Sequence, residues 1–223
     1  MGMNLVLLYT DELRGFYKSK VMLFLWVGLP VLAVLFRFLQ RGGQGQSMSF
    51  SVVSALVVSS VAGTLAAVML AVSLINERNR HVYELFLVRP VKRRELLLAK
   101  GLAVYSCVAV ACLVSVIVGL VADLVVGASL PGSILSALGQ SLAISFSMLA
   151  VACSVGVLIG VASPSILVGA ILVVYGGNQL TVVSLVPTLL NLPHPALLTL
   201  ALAGAVAIVF FWVAIVLFKR KQF

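Results

Sequence analysis

Residues 101–126 read GLAVYSCVAVACLVSVIVGLVADLVV, and they limit the kinds of fold that the chain can adopt. Their one formal charge is Asp123, close to the end of the stretch. A helix needs about 20 apolar residues to cross a hydrocarbon core roughly 30 Å thick, so this stretch is long enough to span a membrane. The pattern extends further, because Asp123 is the only formal charge among the 118 residues between Lys100 and Lys219.

The composition of the whole chain agrees with a membrane location. Apolar residues make up 62 % of the 223 residues, and charged residues make up 9 %. Soluble domains average about 45–50 % apolar and about 25 % charged residues. Because a water-facing surface needs more charge than this, the composition excludes a soluble enzyme, a nucleic-acid-binding domain and a disordered chain. It predicts an all-α, polytopic membrane protein.

The apolar runs predict a single transmembrane domain over residues 1–223, with six membrane-spanning helices at 21–36, 52–75, 101–126, 134–161, 166–186 and 196–218. Residues 4–20 have a different pattern, with apolar side chains at positions 5, 8, 9, 13, 16 and 17 between charged ones. Their helical spacing predicts an amphipathic helix that lies in the membrane interface before the first span. An ordinary solvated leader with chance periodicity is the alternative.

The basic residues predict the orientation of these spans. Of the 15 lysines and arginines, 13 precede the first span, lie in the segment 76–100 or follow the last span. The other two, Arg37 and Arg41, lie between the first and second spans. Because basic residues are retained on the cytoplasmic side of a membrane, both termini are expected in the cytoplasm.

The segment 76–100, NERNRHVYELFLVRPVKRRELLLAK, lies between the second and third predicted spans and is rich in charge. Val82, Leu85 and Phe86 form an apolar stripe on a short predicted helix with charged flanks. Pro90 ends this helix, because the proline ring blocks its continuation. Such a helix either lies among lipid headgroups or docks into a groove on a cytoplasmic partner.

This segment resembles the first cytoplasmic loop of the ABC type-2 exporter permeases, the membrane-spanning subunits of ATP-binding cassette transporters. The residues that match the pattern of that family in order and spacing are Glu77, Arg78, Glu84, Pro90, Glu95 and Lys100. His81 and Val82 stand where the family has Gly-Thr, and Lys92 stands where a hydroxyl residue is usual. The layout of the whole chain, an amphipathic helix followed by six spans, is also similar to that family.

The resemblance implies a coupling helix in this loop, at 80–89, resting on a separate ATP-binding subunit. The residues to which it assigns contact with that ATPase are Glu77, Arg78, Arg80, His81, Val82, Tyr83, Glu84, Leu85, Phe86, Arg89 and Pro90. It also implies two copies of the ATPase, a second permease copy as homodimer or heterodimer, and transport out of the cell.

The chain shows no catalytic or metal-binding pattern of its own. It contains no Gly-x-x-x-x-Gly-Lys-Ser/Thr phosphate loop, so we expect this chain to be a non-catalytic subunit that binds no cofactor. ATP and Mg²⁺ are expected on the partner subunit. Asp123 is the only acidic residue at membrane depth, which argues against an ion-coupled carrier and against a membrane-embedded enzyme.

Two further features interrupt the apolar spans. The fifth span is broken near its middle by Gly176, Gly177, Asn178 and Gln179. Because two amides in hydrocarbon need partners, this break predicts a polar lining of the substrate route or a seam between protomers. A tolerated break with local hydrogen bonds is the alternative. In the fourth span, Gly156 and Gly160 allow another helix to pack closely.

Together these features predict the permease subunit of an ABC transporter in the plasma (cell inner) membrane. A hydrophobic or amphiphilic substrate is expected, because the interior is largely uncharged. The alternative is a structural or channel-like membrane protein that works without an ATPase.

Overall fold

The computed structural model describes residues 2–40, 50–80, 93–125, 132–190 and 195–220. Within these ranges the chain is helical apart from short turns, in agreement with the predicted all-α class. The α-helices in chain order are α1 (Gly2–Tyr17), α2 (Lys20–Gln40), α3 (Phe50–Asn79), α4 (Arg93–Val125), α5 (Gly132–Ala162), α6 (Ile166–Leu172), α7 (Asn178–Thr181), α8 (Val186–Leu189) and α9 (Pro195–Arg220).

The number of candidate membrane spans follows from the length and apolar character of these helices. Four of them, α3, α4, α5 and α9, are each long and apolar enough to cross a membrane. α1 and α2 meet at a bend of 65° and make a fifth candidate when they are taken as one span. Ile166–Thr181 is apolar but shorter than the usual 20 or so residues. The described residues thus support a multi-pass membrane protein, and the six spans stay a prediction.

α5 is the central helix of the bundle and packs against α3, α4 and α9. Six helices, α1, α2, α3, α4, α5 and α9, contribute to one shared apolar core, with Met22, Leu70, Val104, Leu149 and Ala214 among its buried side chains. α9 differs from the others, because most of its apolar surface faces outward. An outward apolar surface is expected where a helix faces lipid tails, since lipid tails are as apolar as the side chains themselves.

The contact between α3 and α5 is close because small residues face each other along it. A Cβ atom added at Gly156 would lie 2.7 Å from the Cα and carbonyl oxygen of Ala67. A Cβ atom at Gly160 would lie 3.0 Å from the Cα of Ala71. Both glycines of the fourth predicted span therefore allow the backbones of α3 and α5 to touch, which is the usual role of small residues between membrane helices.

The amphipathic helix α1 packs against α4. The Tyr9 hydroxyl donates a hydrogen bond to Ser106 Oγ at 3.0 Å, and Phe16 is buried in the shared core. Tyr17, expected on the same apolar face, is instead exposed. Its ring makes an edge contact with Trp26 of α2 at a centroid distance of 5.9 Å, because the bend after α1 turns this side chain toward the next helix.

The fifth predicted span is an irregular helix. After α6, residues Val173–Gly177 form a π-helical turn, α7 follows, and Val182–Leu185 form a 3₁₀ turn before α8. The start of this segment packs on α3, its middle on α5 and its end on α9. Changes of helix type of this kind are frequent at functional sites and hinges.

Candidate functional site at the polar end of the bundle

One end of the bundle carries an interconnected set of polar groups, which we call the polar end. It consists of the side chains of Glu12, Ser73, Glu77, Arg78 and Lys100 together with the turn 163–165. α3 and α4 have 30 and 33 residues, so they are roughly 45–50 Å long and exceed a hydrocarbon core of about 30 Å. The end of α3 and the start of α4 therefore have room for charged residues outside the apolar layer.

Lys100 is the central charge of the polar end, and only 1 % of its side chain is exposed. Its ammonium group forms an ion pair with Glu77 and lies 3.4 Å from Ser73 Oγ. The Ser73 hydroxyl donates to Glu77 Oε1 at 3.3 Å, so the three groups form a closed network. A buried ammonium is tolerated only when it is paired and hydrogen-bonded, and this network meets both conditions.

Glu12 brings the N-terminal helix into the same network. Its Oε1 lies 3.6 Å from Lys100 Nζ, so the lysine links α1, α3 and α4. Burial raises the pKa of the Glu12 carboxyl, and the nearby Glu77 adds to this shift, whereas the Lys100 ammonium opposes it. Because burial is the largest of these effects, the Glu12 carboxyl holds a proton more readily than it does in water.

Arg78 connects the end of α3 to a different element. Its Nη2 atom donates to the carbonyl oxygens of Ser163 and Pro164 at 2.6 and 3.0 Å, in the turn between α5 and α6. A guanidinium suits this position, because its several donors have fixed directions. Adjacent residues at the end of α3 thus hold different partners, with Glu77 binding Lys100 of α4 and Arg78 binding the turn.

The structure places only part of the predicted ATPase-contact set. Glu77 and Arg78 lie in the polar end, and Arg80 is exposed in the turn that follows α3. The residues of that set that lie outside the described part of the chain are His81, Val82, Tyr83, Glu84, Leu85, Phe86, Arg89 and Pro90. The contact of these residues with an ATPase stays a prediction.

Sequence reasoning missed three members of the polar end, Glu12, Ser73 and the turn 163–165. The sequence indicates Glu12 only as a charged residue of an interfacial helix, and it does not single out the turn 163–165. The one available signal for Glu12 is a carboxylate on a helix that also carries an apolar face. Nothing in the sequence indicates that the two carbonyl groups of the turn accept from Arg78.

The four residues that break the fifth span point in different directions. Gly177 is buried, and a Cβ atom there would lie 3.4 Å from Val155 of α5. Gly176 has open space around it, and Asn178 and Gln179 are exposed on the outside of the single chain. The π-helical turn ends at Gly177, so the change of helix type coincides with the predicted break.

The polar end is arranged to hold helices together. Among the residues that the structure describes, no group of three or more His, Cys, Asp or Glu side chains is arranged to hold a metal ion. The charged groups of the polar end are instead engaged with each other and with backbone carbonyls across four elements. The arrangement can therefore transmit a displacement from one helix end to another.

The fold and the polar end define a multi-pass helical membrane protein with an apolar body and a charged, internally paired end. Residues 16–178 match a family model described as ABC-2 family transporter protein, which covers well over half of the chain. The chain belongs to the ABC-2 transporter family. The resemblance found in the segment 76–100 is thereby confirmed. A search of curated proteins finds no match to this chain.

Membership of this family defines the general role of the chain. It is a membrane component of a transporter, and the family implies an ATPase partner in general. The matched range includes Glu77, Arg78, Lys100 and the turn 163–165, and it ends inside the fifth predicted span. Glu12 precedes the matched range, so the contact between α1 and Lys100 lies partly outside it.

Proposed function

We propose that this chain is the permease subunit of an ABC exporter, driven by ATP hydrolysis in a separate nucleotide-binding subunit docked on the segment 76–100. Two such permease subunits, identical or different, would assemble with two ATPase chains. ATP and Mg²⁺ would be bound by the ATPase, and this chain would bind neither. The substrate would be hydrophobic or amphiphilic, since the helices offer few charged groups at membrane depth.

The observation that supports this proposal most directly is the ion pair between Glu77 and Lys100. These residues lie at the two ends of the proposed docking segment, Glu77 near the end of α3 and Lys100 in the first part of α4. Because Lys100 is buried, the pair fixes the two helix ends relative to each other. A push on the segment would therefore move α3 and α4 together, as a coupling element requires.

Charge supports a cytoplasmic position for the polar end. Exposed basic side chains lie around the end of α1 at Arg14 and Lys18, just after α3 at Arg80, at the start of α4 at Arg94 and at the end of α9 at Lys219. Under the positive-inside rule the polar end, and with it both termini, would lie in the cytoplasm. A cytoplasmic ATPase would then have direct access to the segment 76–100.

We further propose that the exposed face at Gly176, Asn178 and Gln179 lies between two permease copies and borders the substrate route, with Gly177 allowing the close approach of α5. Exposed amides on an apolar segment support this placement, because amides facing lipid would lack hydrogen-bond partners. An Asn178→Cys variant is expected to form a disulfide-linked pair of permeases in the membrane. Absence of that pair would contradict this placement.

The experiment that tests the proposed function is recovery of the tagged chain from detergent-solubilised native membranes, followed by measurement of ATP hydrolysis in proteoliposomes. We expect a stoichiometric ATPase to accompany the chain. Glu84→Ala and Phe86→Ala are expected to lower hydrolysis that depends on the chain, because the first removes a flanking charge and the second an apolar anchor of the docking helix. Membrane insertion should be unchanged.

A matched control is Lys219→Ala, which removes an exposed charge on the same proposed side of the membrane, at the end of α9 and outside the sequence of the docking segment. Normal coupling in both Glu84→Ala and Phe86→Ala would contradict the docking role of the segment. Recovery of the chain alone, in a detergent that preserves a known ABC complex, would instead favour a structural or channel-like protein.

A further inference from the structure

We propose that Arg78 is a positioning residue that makes the start of the fifth predicted span move with the end of α3. This inference rests on the proposed function, because it concerns how motion that reaches α3 from a docked ATPase continues into the membrane. It assigns to Arg78 a role different from contact with the ATPase. The proposed path runs from Arg78 through the turn 163–165 to α6.

The polar half of this connection is the pair of hydrogen bonds from Arg78 to the turn. The guanidinium donates to the carbonyl oxygens of Ser163 and Pro164 at 2.6 and 3.0 Å, across about 85 positions of the sequence. Both acceptors are backbone atoms. A displacement of the guanidinium is therefore passed to the chain itself and is not absorbed by rotation of a side chain.

The apolar half is a steric contact one turn further along. Gly169 of α6 is buried against α3, and a Cβ atom there would lie 2.6 Å from Ile75 Cδ1. Ser165 caps the start of α6 by accepting a hydrogen bond from the Val168 amide, which fixes the turn to the helix. The end of α3 is thus connected to the turn by Arg78 and to α6 by the contact between Ile75 and Gly169. The Ser165 cap joins the turn to α6.

The packing against α3 continues to Val173, which begins the π-helical turn Val173–Gly177 and is buried beside Ala67 and Ala71. Tyr175 and Gly176 are exposed there, and Gly176 has no atom within 4 Å of an added Cβ. A π-helical turn in an otherwise α-helical segment is a recognised place for a change of helix geometry. Motion carried by Arg78 would therefore be expressed as a change in this turn and in Asn178, which follows it.

The test uses Arg78→Gln, which removes the charge and the forked donors, and Arg78→Lys, which keeps the charge but has a single donor group. The chain is reconstituted with its co-purified ATPase, and hydrolysis of MgATP is measured. A second readout is the labelling rate of the thiol introduced by Asn178→Cys, kept reduced during the measurement, with and without a non-hydrolysable ATP analogue. The three native cysteines, at 107, 112 and 153, are replaced by alanine for this purpose.

We expect Arg78→Gln to keep the ATPase bound while lowering chain-dependent hydrolysis by about three- to tenfold, with Arg78→Lys intermediate. The nucleotide-dependent change in labelling at position 178 should disappear, which loss of stability alone would not cause. Arg14→Gln is the matched control, since Arg14 is exposed and lies outside the polar end. It should behave as the parent chain does.

A covalent bridge provides the decisive arm of the test. Ile75→Cys combined with Gly169→Cys places two thiols at the steric contact, where a disulfide or a short bifunctional thiol reagent can replace the connection lost in Arg78→Gln. We expect the bridge to restore chain-dependent hydrolysis, which is measured in a chain that keeps Asn178. Normal coupling in Arg78→Gln, or failure of a formed bridge to restore it, would overturn the role of Arg78. A parent chain that recruits no ATPase would overturn the proposed function itself, and this inference with it.

Discussion

The contact between α3 and α5 predicts both the sign and the size of a change in the free energy of unfolding. Gly156→Ala is expected to destabilise the protein, whereas Gly139→Ala on the same helix is not. Both substitutions add one methyl group and replace glycine by a better helix former. The difference between them therefore isolates what the added Cβ atom meets.

At position 156 the added Cβ atom would lie 2.7 Å from two backbone atoms of Ala67. Optimal separations between carbon atoms are about 3.5–4.0 Å, so α3 and α5 must move apart by roughly 0.8 Å or more. Backbone atoms cannot rotate away, and overpacking of this kind costs about 1–3 kcal/mol. At Gly139 nothing lies within 4 Å of the added atom, so only the helix-propensity gain of up to about 1 kcal/mol acts there.

The measurement is equilibrium unfolding of the purified chain in mixed micelles, followed by the fluorescence of its two tryptophans. Gly156→Ala should be less stable than Gly139→Ala by about 1–3 kcal/mol. Equal stability of the two variants would mean that the backbones of α3 and α5 do not touch at Gly156, and the packing described for the centre of the bundle would then be wrong.

Three further predictions concern the polar end. Lys100→Met should lower the free energy of unfolding by about 2–3 kcal/mol, because it removes the buried ammonium that pairs with the part-buried carboxylates of Glu12 and Glu77. Lys219→Met, at an exposed position, should change it by less than about 0.5 kcal/mol. The pKa of Glu12 is higher in the folded protein than in the unfolded chain, so the folded state binds more protons. Its free energy of unfolding therefore falls as pH rises from about 4.5 through the folded-state pKa. Glu12→Gln should flatten this dependence in a pH series of unfolding curves. Ser163→Ala should leave thermal stability unchanged or slightly raised, because its hydroxyl is buried without a partner in the described structure and its carbonyl is retained.

Much of the fold could be predicted from the sequence, because a membrane span depends on the length and apolar character of one continuous stretch of residues. An uncharged run such as 101–122 can satisfy its backbone only within a helix, so α4 follows from composition alone. The close packing at Gly156 and Gly160 likewise follows from their spacing. The partner helix does not, because small residues occur on several helices and only the three-dimensional arrangement selects α3.

The irregular fifth segment shows where local reasoning is incomplete. Two adjacent glycines indicate a weak point in a helix, and the π-helical turn does end at Gly177. The sequence could not tell which side chains face outward, because a π-helical turn changes the angular spacing of the residues that follow it. For that reason the burial of Gly177 and the exposure of Asn178 and Gln179 emerged only from the structure.

Three residues of the polar end could be singled out from the sequence, but their connections could not. The family pattern singles out Glu77, Arg78 and Lys100, and the structure brings Glu77 and Lys100 together. The contacts of Lys100 with Glu12 and of Arg78 with the turn 163–165 join positions about 85 residues apart or more. Pairings over such distances depend on the packing order of the helices, which periodicity along one segment does not specify.

The docking of an ATPase on the segment 76–100 is tested most directly by cross-linking mass spectrometry of the native complex with a lysine-specific reagent. The predicted result is a set of cross-links from Lys92, within the segment, to a co-purified ATPase, with none from the buried Lys100. Lys219 and Lys221 serve as reporters on the tail of the chain. Cross-links to an ATPase from the tail but not from Lys92, or recovery of the chain without any ATPase, would contradict docking on this segment.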